Sequence, residues 1–240
     1  MKETNGNMNM KAKAFPPGDA QGVDLHPVKS KVKVKAKTRL ASLNIGMLEG
    51  KTRELASMLN KRKVDIACIQ ETKWKGQKTL MIGDGYKLYY NGIVSNRNGV
   101  GIILSQDLTF SVVEFNRISD RLMKIKLCIS QSILHILSVY APQTGCKEEE
   151  KDEFRAILDE AVMEIPKDDL VIIGGDLNAH VGKARDSYKR QHGGFGYGER
   201  NEGEHILKFA QTFDLAIDYM LISRRRLKDV ITAKSSQEKV

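Results

Sequence analysis

The stretch Val64-Asp65-Ile66-Ala67-Cys68-Ile69-Gln70-Glu71 decides how the chain folds. It is a short apolar run with no polar face, bounded by charge, and that is the signature of a strand covered on both sides. A second run, Leu170-Val171-Ile172-Ile173, passes into Gly174-Gly175-Asp176 in the same way. Strands buried on both faces need layers above and below them. Between and around these runs lie further strand candidates: 39–45, 86–90, 100–104, 108–115, 122–129, 133–140 and 218–222. Turn signals such as Ser95-Asn96-Arg97-Asn98-Gly99 and Ser119-Asp120 separate them. Helical spacing recurs in three places: Leu55, Met58 and Leu59; Phe154, Ile157, Leu158, Ala161 and Val162; and Ile206, Leu207, Ala210 and Phe213. Many strands with few, separated helices predict an α+β sandwich, strands within and helices outside.

The 240 residues, 41% of them hydrophobic, suffice for one sizeable core. The net charge of +9 is unevenly placed. Residues 1–39 carry nine basic and three acidic side chains, and residues 221–240 carry six and two, which leaves 40–220 at −1. The basic excess therefore marks the ends, where it favours non-specific contact with polyanions. Residues 1–38, with Pro16, Pro17, Gly18 and a lysine-alternating run, read as a disordered basic tail. The domain is expected over 39–230, with a second tail over 231–240. No apolar run approaches the roughly 20 residues of a membrane-spanning helix, and the N-terminus lacks the apolar core of a secretion signal. An intracellular, nuclear monomer is expected. Cys68, Cys128 and Cys146 are odd in number and form no CxxC pair, so buried reduced thiols are expected at Cys68 and Cys128.

Three strands end in polar residues at one predicted lip: Asn44, then Gln70-Glu71, then Asp176-Leu177-Asn178. Strand ends present side chains rigidly to a crevice. Carboxylates with neutral amides suit a hard cation such as Mg²⁺, whereas Cys and His at zinc spacing are absent. Gly46-Met47-Leu48-Glu49-Gly50-Lys51-Thr52 imitates a phosphate-binding loop, but only three residues separate its glycines where that motif has four.

Five segments in order, Leu43-Asn44-Ile45, Ile69-Gln70-Glu71-Thr72-Lys73, Val139-Tyr140-Ala141-Pro142, Gly175-Asp176-Leu177-Asn178 and Ile217-Asp218-Tyr219, resemble the endonuclease/exonuclease/phosphatase family, which includes DNase I and the apurinic-site endonucleases. Asn96–Gly101, Ile118–Arg121 and His192–Gly196 are similar to the endonuclease domains of non-long-terminal-repeat retrotransposons and their host-resident relatives. The resemblance runs from about Arg39 to Lys228. It implies a four-layered sandwich of two β-sheets flanked by helices, and a DNA endonuclease dependent on Mg²⁺ or Mn²⁺ with no small-molecule cofactor. Glu71 would hold the metal with Asn44 beside it. Asp176 would orient or deprotonate the attacking water, and Asn178 and Tyr140 would contact the scissile phosphate. Lys73, Arg97 and Asn98 would contact nucleic acid.

Asp218 would pair with a histidine near the domain's C-terminus. His26, His135, His180, His192 and His205 all precede Asp218. Roughly 20 residues that the family places before the Asp218 motif are also missing, a length of one or two strands with their turns. The expectation is therefore a domain lacking strands at its C-terminal end. Two alternatives stay open: a relic that binds nucleic acid without cutting it, and a phosphatase on small phosphoesters.

Overall fold

The computed structural model describes residues 38–194, 196, 198–218, 220–224 and 233–235. Apart from Thr38, the expected N-terminal tail lies outside them. Two parallel strand pairs joined by helical crossovers, one in each sheet, organise the fold. In the first sheet β1 (Leu40–Asn44) runs parallel to β2 (Ile66–Gln70), with Asn44 opposite Gln70. Helix α1 (Thr52–Lys61) makes the crossover between them. The strands β3 (Thr79–Gly83), β4 (Tyr86–Asn91) and β5 (Val100–Leu104) extend this sheet antiparallel in the order β2-β5-β4-β3.

The short helix α2 (Gln106–Thr109) then leads to the second sheet. There β6 (Val112–Ser119), β7 (Leu122–Ile129) and β8 (Ser132–Tyr140) form an antiparallel meander. Helix α3 (Glu148–Met163) crosses back to β9 (Leu170–Asp176), which lies parallel to β8 with Tyr140 opposite Asp176. Helix α4 (Gly203–Thr212) precedes β10 (Leu215–Asp218) and β11 (Met220–Ser223), an antiparallel hairpin seated on β9.

The layers follow from side-chain alternation. On β2, Ile66 and Cys68 enter the core between the sheets, while Ala67 and Ile69 pack beneath α1 against Leu55, Ala56 and Leu59. On β8, Leu134 and Ile136 face the other sheet. Leu137 and Val139 face α3 and α4, where Phe154, Leu158 and Ala210 wait. The central strands β2 and β8 are thus covered on both faces, which is why they carry so little polar alternation. The family's four-layered sandwich is present.

Four details differ from the sequence reading. The segment 108–115 was expected as one strand; it splits into α2 and β6, because Leu108 reaches the core from a helical turn. Edge strand β3 was not expected: its apolar run Leu80-Met81-Ile82 is short, and only Ile82 is buried. The expected strand 218–222 spans two strands: Asp218 ends β10 and pairs with Met220, the first residue of β11. Cys128 is exposed, because it lies on the outward-alternating face of β7, whereas Cys68 is buried between the sheets. In addition, β12 (Ala233–Ser235), within the segment expected as a tail, pairs parallel with β1 and supplies partners for its free edge.

Far from the strand ends discussed above, His135 is buried and its Nε2 lies 2.9 Å from Asp169 Oδ2. Burial pushes its pKa below the ordinary histidine range, and Asp169 only partly opposes this. The unfolded chain therefore binds the proton more readily. Stability is fully present above about pH 6.5 and falls as the pH drops below it. Urea unfolding at pH 7.5 and 5.5 should show a loss of stability that is smaller in His135→Gln. An equal loss in both proteins would show that His135 does not carry it.

Candidate active site

Because β1/β2 and β8/β9 are both parallel pairs, Asn44, Glu71, Tyr140 and Asp176 all arrive at carboxyl ends of strands. A buried polar chain aligns the two sheets. Ser42 Oγ donates to Gln70 Oε1 at 3.4 Å, Gln70 Nε2 donates to Ser138 Oγ at 3.2 Å, and Ser138 Oγ donates to the Ile69 carbonyl at 3.2 Å. Both Gln70 and Ser138 are almost wholly buried. Such groups are costly unless paired, so they pin one arrangement of the two sheets.

Above this chain the site closes around one amide. Asn44 Nδ2 donates to Glu71 Oε1 at 2.7 Å and reaches Asp176 Oδ2 at 3.4 Å. Its own oxygen accepts the Gly46 N–H at 3.1 Å, so Asn44 bridges the two carboxylates with its nitrogen. The Tyr140 hydroxyl donates to Glu71 Oε1 at 3.1 Å, and Lys73 Nζ lies 3.2 Å from Glu71 Oε2. Asp176 Oδ1 accepts the Asn178 N–H at 2.9 Å, and Asn178 Nδ2 donates to the Ala141 carbonyl at 2.7 Å. Glu71 and Asn178 have φ of 56° and 48°, in the left-handed region. For Glu71 this costs about 1–2 kcal/mol, whereas asparagine adopts it readily, and strain of this kind collects where side chains are aimed for function.

The electrostatics follow from these contacts. Burial pushes the Glu71 pKa up, but hydrogen bonds from Asn44, Lys73 and Tyr140, with the Lys73 charge, outweigh it and hold the carboxyl below its ordinary range. Glu71 is therefore an anion at neutral pH. Burial first, then the Glu71 charge and hydrogen bond, push the Tyr140 phenol up to about 12, so it remains a donor. Glu71, already neighboured by one ammonium, has the charge and oxygen chemistry that attract a hard cation. Among the described residues no group of three or more His, Cys, Asp or Glu side chains could hold a metal. A cation here would keep much of its water, as Mg²⁺ does. The carboxylates of Glu71 and Asp176 are oxygen donors of the type Mg²⁺ takes, with water completing its shell.

A cleft of about 640 Å³ opens beside Asn44, Asp176 and Asn178. His180 and His192 line it. His180 is exposed, and its backbone N–H donates to Asn201 Oδ1 at 2.7 Å. His192 is buried: its Nε2 donates to the Gly182 carbonyl at 2.7 Å, and its Nδ1 accepts the Gly194 N–H at 2.9 Å. Both ring nitrogens thus serve the loop that carries them.

Of the residues expected in the site, Asn44, Glu71, Lys73, Tyr140, Asp176 and Asn178 come together. The Asp218 side chain lies outside the described residues; its backbone ends β10. Asn98 has another task here, donating to Asp120 Oδ2 at 2.9 Å while its carbonyl accepts the Lys73 N–H. Arg97 stays largely exposed, 3.8 Å from Glu150. The Ser42–Gln70–Ser138 chain escaped the sequence reading; its signal was a serine at an inward-facing position of each of two apolar strands.

Strand ends that converge on a carboxylate pair within a four-layered sandwich define a class, and residues 41–233 match the Endonuclease/Exonuclease/phosphatase family. The chain belongs to that family, whose name covers nuclease- and phosphatase-type hydrolases. It is 32% identical over 190 residues to craniofacial development protein 2 of Bos taurus, covering 78% of this chain and 31% of the relative. The Tragulus javanicus protein of that name is 31% identical, covering 78% and 32%. The chain thus matches about a third of the length of these relatives. Among solved structures, the AP endonuclease LMAP from Leishmania major aligns with a TM-score of 0.60 at 13% identity, covering 80% of each chain. The catalytic domain of Xenopus laevis APE2 aligns with a TM-score of 0.54 at 16% identity, covering 78% of this chain and 82% of that one. These two likenesses are of fold.

Proposed function

We propose that this chain hydrolyses phosphodiester bonds in DNA as a Mg²⁺-dependent endonuclease of the retrotransposon type. The observation that carries this reading is the bridging of Glu71 and Asp176, from different sheets, by the single amide of Asn44. Phosphodiester hydrolysis needs positive charge near the phosphate, a base for water, and donors for the developing oxyanion. Glu71 is the anion that would hold Mg²⁺, and Asn44 and Tyr140 orient it. When bound, the metal would supply Lewis-acid stabilisation of charge on the phosphate oxygens. Asp176, fixed by the Asn178 N–H, is placed to take a proton from water. Tyr140 and Lys73 offer donors at the same lip. The basic ends would add sequence-independent attraction to the DNA backbone.

Supercoiled plasmid incubated with the protein and Mg²⁺ should be nicked. Omission of the metal with a chelator should abolish nicking, and Glu71→Ala should lower it by about 10²-fold or more. Nicking that persists unchanged in Glu71→Ala would overturn the assignment. A second reading, a domain that binds DNA without cutting it, draws support from His192, whose ring is committed to its loop on both sides. It predicts salt-sensitive binding with no cleavage at any Mg²⁺ concentration.

A further inference from the structure

A largely enclosed cation beside Tyr140 is unused by the chemistry above. Arg121 sits in the turn between β6 and β7, and its side chain is only 12% exposed. Its guanidinium carbon lies over the Tyr140 ring, 5.3 Å from the centroid. Nη1 donates to the Tyr140 carbonyl at 3.3 Å, and the Arg121 carbonyl accepts the Tyr140 N–H at 2.9 Å. Nη2 donates to Glu150 Oε1 at 2.6 Å, in the first turn of α3. The planar fork thus engages the backbone of Tyr140 and a carboxylate of α3 while its carbon lies over the phenol ring. The turn is itself fastened, since Ser119 Oγ accepts the Arg121 N–H and Asp120 accepts from both Asn98 and Gly99.

We propose that Arg121 is a positioning residue: clamped by Glu150, it fixes the Tyr140 ring so that the phenol meets Glu71. This rests on the hydrolase reading of the site. Tyr140 reaches Glu71 with a hydroxyl at the far end of a ring, so a small rotation about its side-chain torsions displaces the oxygen by an ångström or more. Misplacement on that scale can cost up to about 10²-fold in rate. A cation stacked on one face resists the rotation, and its effect is larger in a partly dehydrated site. The guanidinium also faces the ring from one side while the Glu71 carboxylate accepts at the hydroxyl, so the phenol lies between a cation and an anion. Lysine has neither the planar face nor the fork, and can reproduce only the charge.

The test has two arms. Protein carrying ¹³C-labelled tyrosine has seven tyrosines, and the Tyr140 ring signals are assigned by their loss in Tyr140→Phe. In Arg121→Met those signals should shift while the other six stay in place. Arg121→Lys should give an intermediate shift, and Glu150→Gln a smaller one in the same direction. In plasmid nicking, Arg121→Met should lower kcat by about tenfold or more with KM within about twofold. The loss should shrink below about twofold when the same change is made in Tyr140→Phe, because the two residues act through one contact. Unmoved Tyr140 signals in Arg121→Met would overturn the proposal, as would independent, multiplicative losses in the double variant. A shift of all seven tyrosines in Arg121→Met, with none in Arg121→Lys or Glu150→Gln, would also overturn it, by marking Arg121 as merely structural. If the wild-type chain nicks nothing, the hydrolase reading fails, and the tyrosine signals still decide whether Arg121 sets Tyr140.

Discussion

Asp176→Asn is expected to lower plasmid nicking by about 10²–10³-fold while leaving the unfolding midpoint within a few degrees of wild type. The substitution keeps the side chain's shape. Its oxygen can still accept the Asn178 N–H that now reaches Oδ1 at 2.9 Å. Two things change: an amide cannot take a proton from water, and the new NH₂ would face the Asn44 Nδ2 donor, which lies 3.4 Å from Oδ2. That second conflict is local and exposed enough for water to relieve, so the chemistry should suffer far more than the fold. The expected size follows from the usual range for proton transfer by a positioned side chain. The comparison to make is single-turnover nicking against thermal unfolding of the same preparation. Asp176→Asn within a few-fold of wild-type activity would remove Asp176 from the role of base. A large loss of stability would mean that the carboxylate serves the fold instead.

Gly175→Ala should destabilise the protein markedly. A Cβ at Gly175 would stand 2.1 Å from the Val139 carbonyl oxygen and 2.4 Å from Val139 Cγ2. The first of these is backbone, and it belongs to the parallel partner strand with which Gly175 is in register. Relief therefore requires β8 and β9 to part beside Tyr140 and Asp176. Overpacking of this kind costs about 1–3 kcal/mol and sometimes more, or several degrees in Tm for a domain of this size. Activity should fall too, because Asp176 is the next residue. Gly174→Ala makes the control. Its Cβ would meet Cys68 Sγ at 2.9 Å, a side-chain atom of the facing sheet, and Cys68→Ala in the same protein should recover part of the loss. If Gly175→Ala melts with the wild type, the strands tolerate separation and the tight β8/β9 register is not needed.

The sandwich was legible wherever the sequence carried unbroken apolar runs. The run 64–71 and the run 170–176 name the central strands of the two sheets, and each ends on the residue that the site uses. The site residues at those ends were legible for the same reason: a polar side chain directly after a buried strand has few places to go. Elements lacking that contrast were not legible. Strand β3 is mostly exposed, and α2 is a single turn whose one core contact, Leu108, reads equally well as part of a strand. Asn98, expected at nucleic acid from the resemblance of its segment, also bonds Asp120, 22 positions away, a contact that no local pattern spans.

The amino-acid sequence by itself determined that the central strands are covered on both faces, and that Asn44, Glu71, Tyr140, Asp176 and Asn178 stand at strand ends. Apolar periodicity is a local property, and burial follows from it directly. Only the tertiary structure decided that Asn44, 132 positions before Asp176, turns a single amide nitrogen to both carboxylates. It also decided that Arg121 lies over the Tyr140 ring and that Ser42, Gln70 and Ser138 lock the sheets in register. Those contacts depend on how two sheets are laid against each other. That arrangement is set by packing and by buried hydrogen bonds across the whole domain, not by any stretch of neighbouring residues.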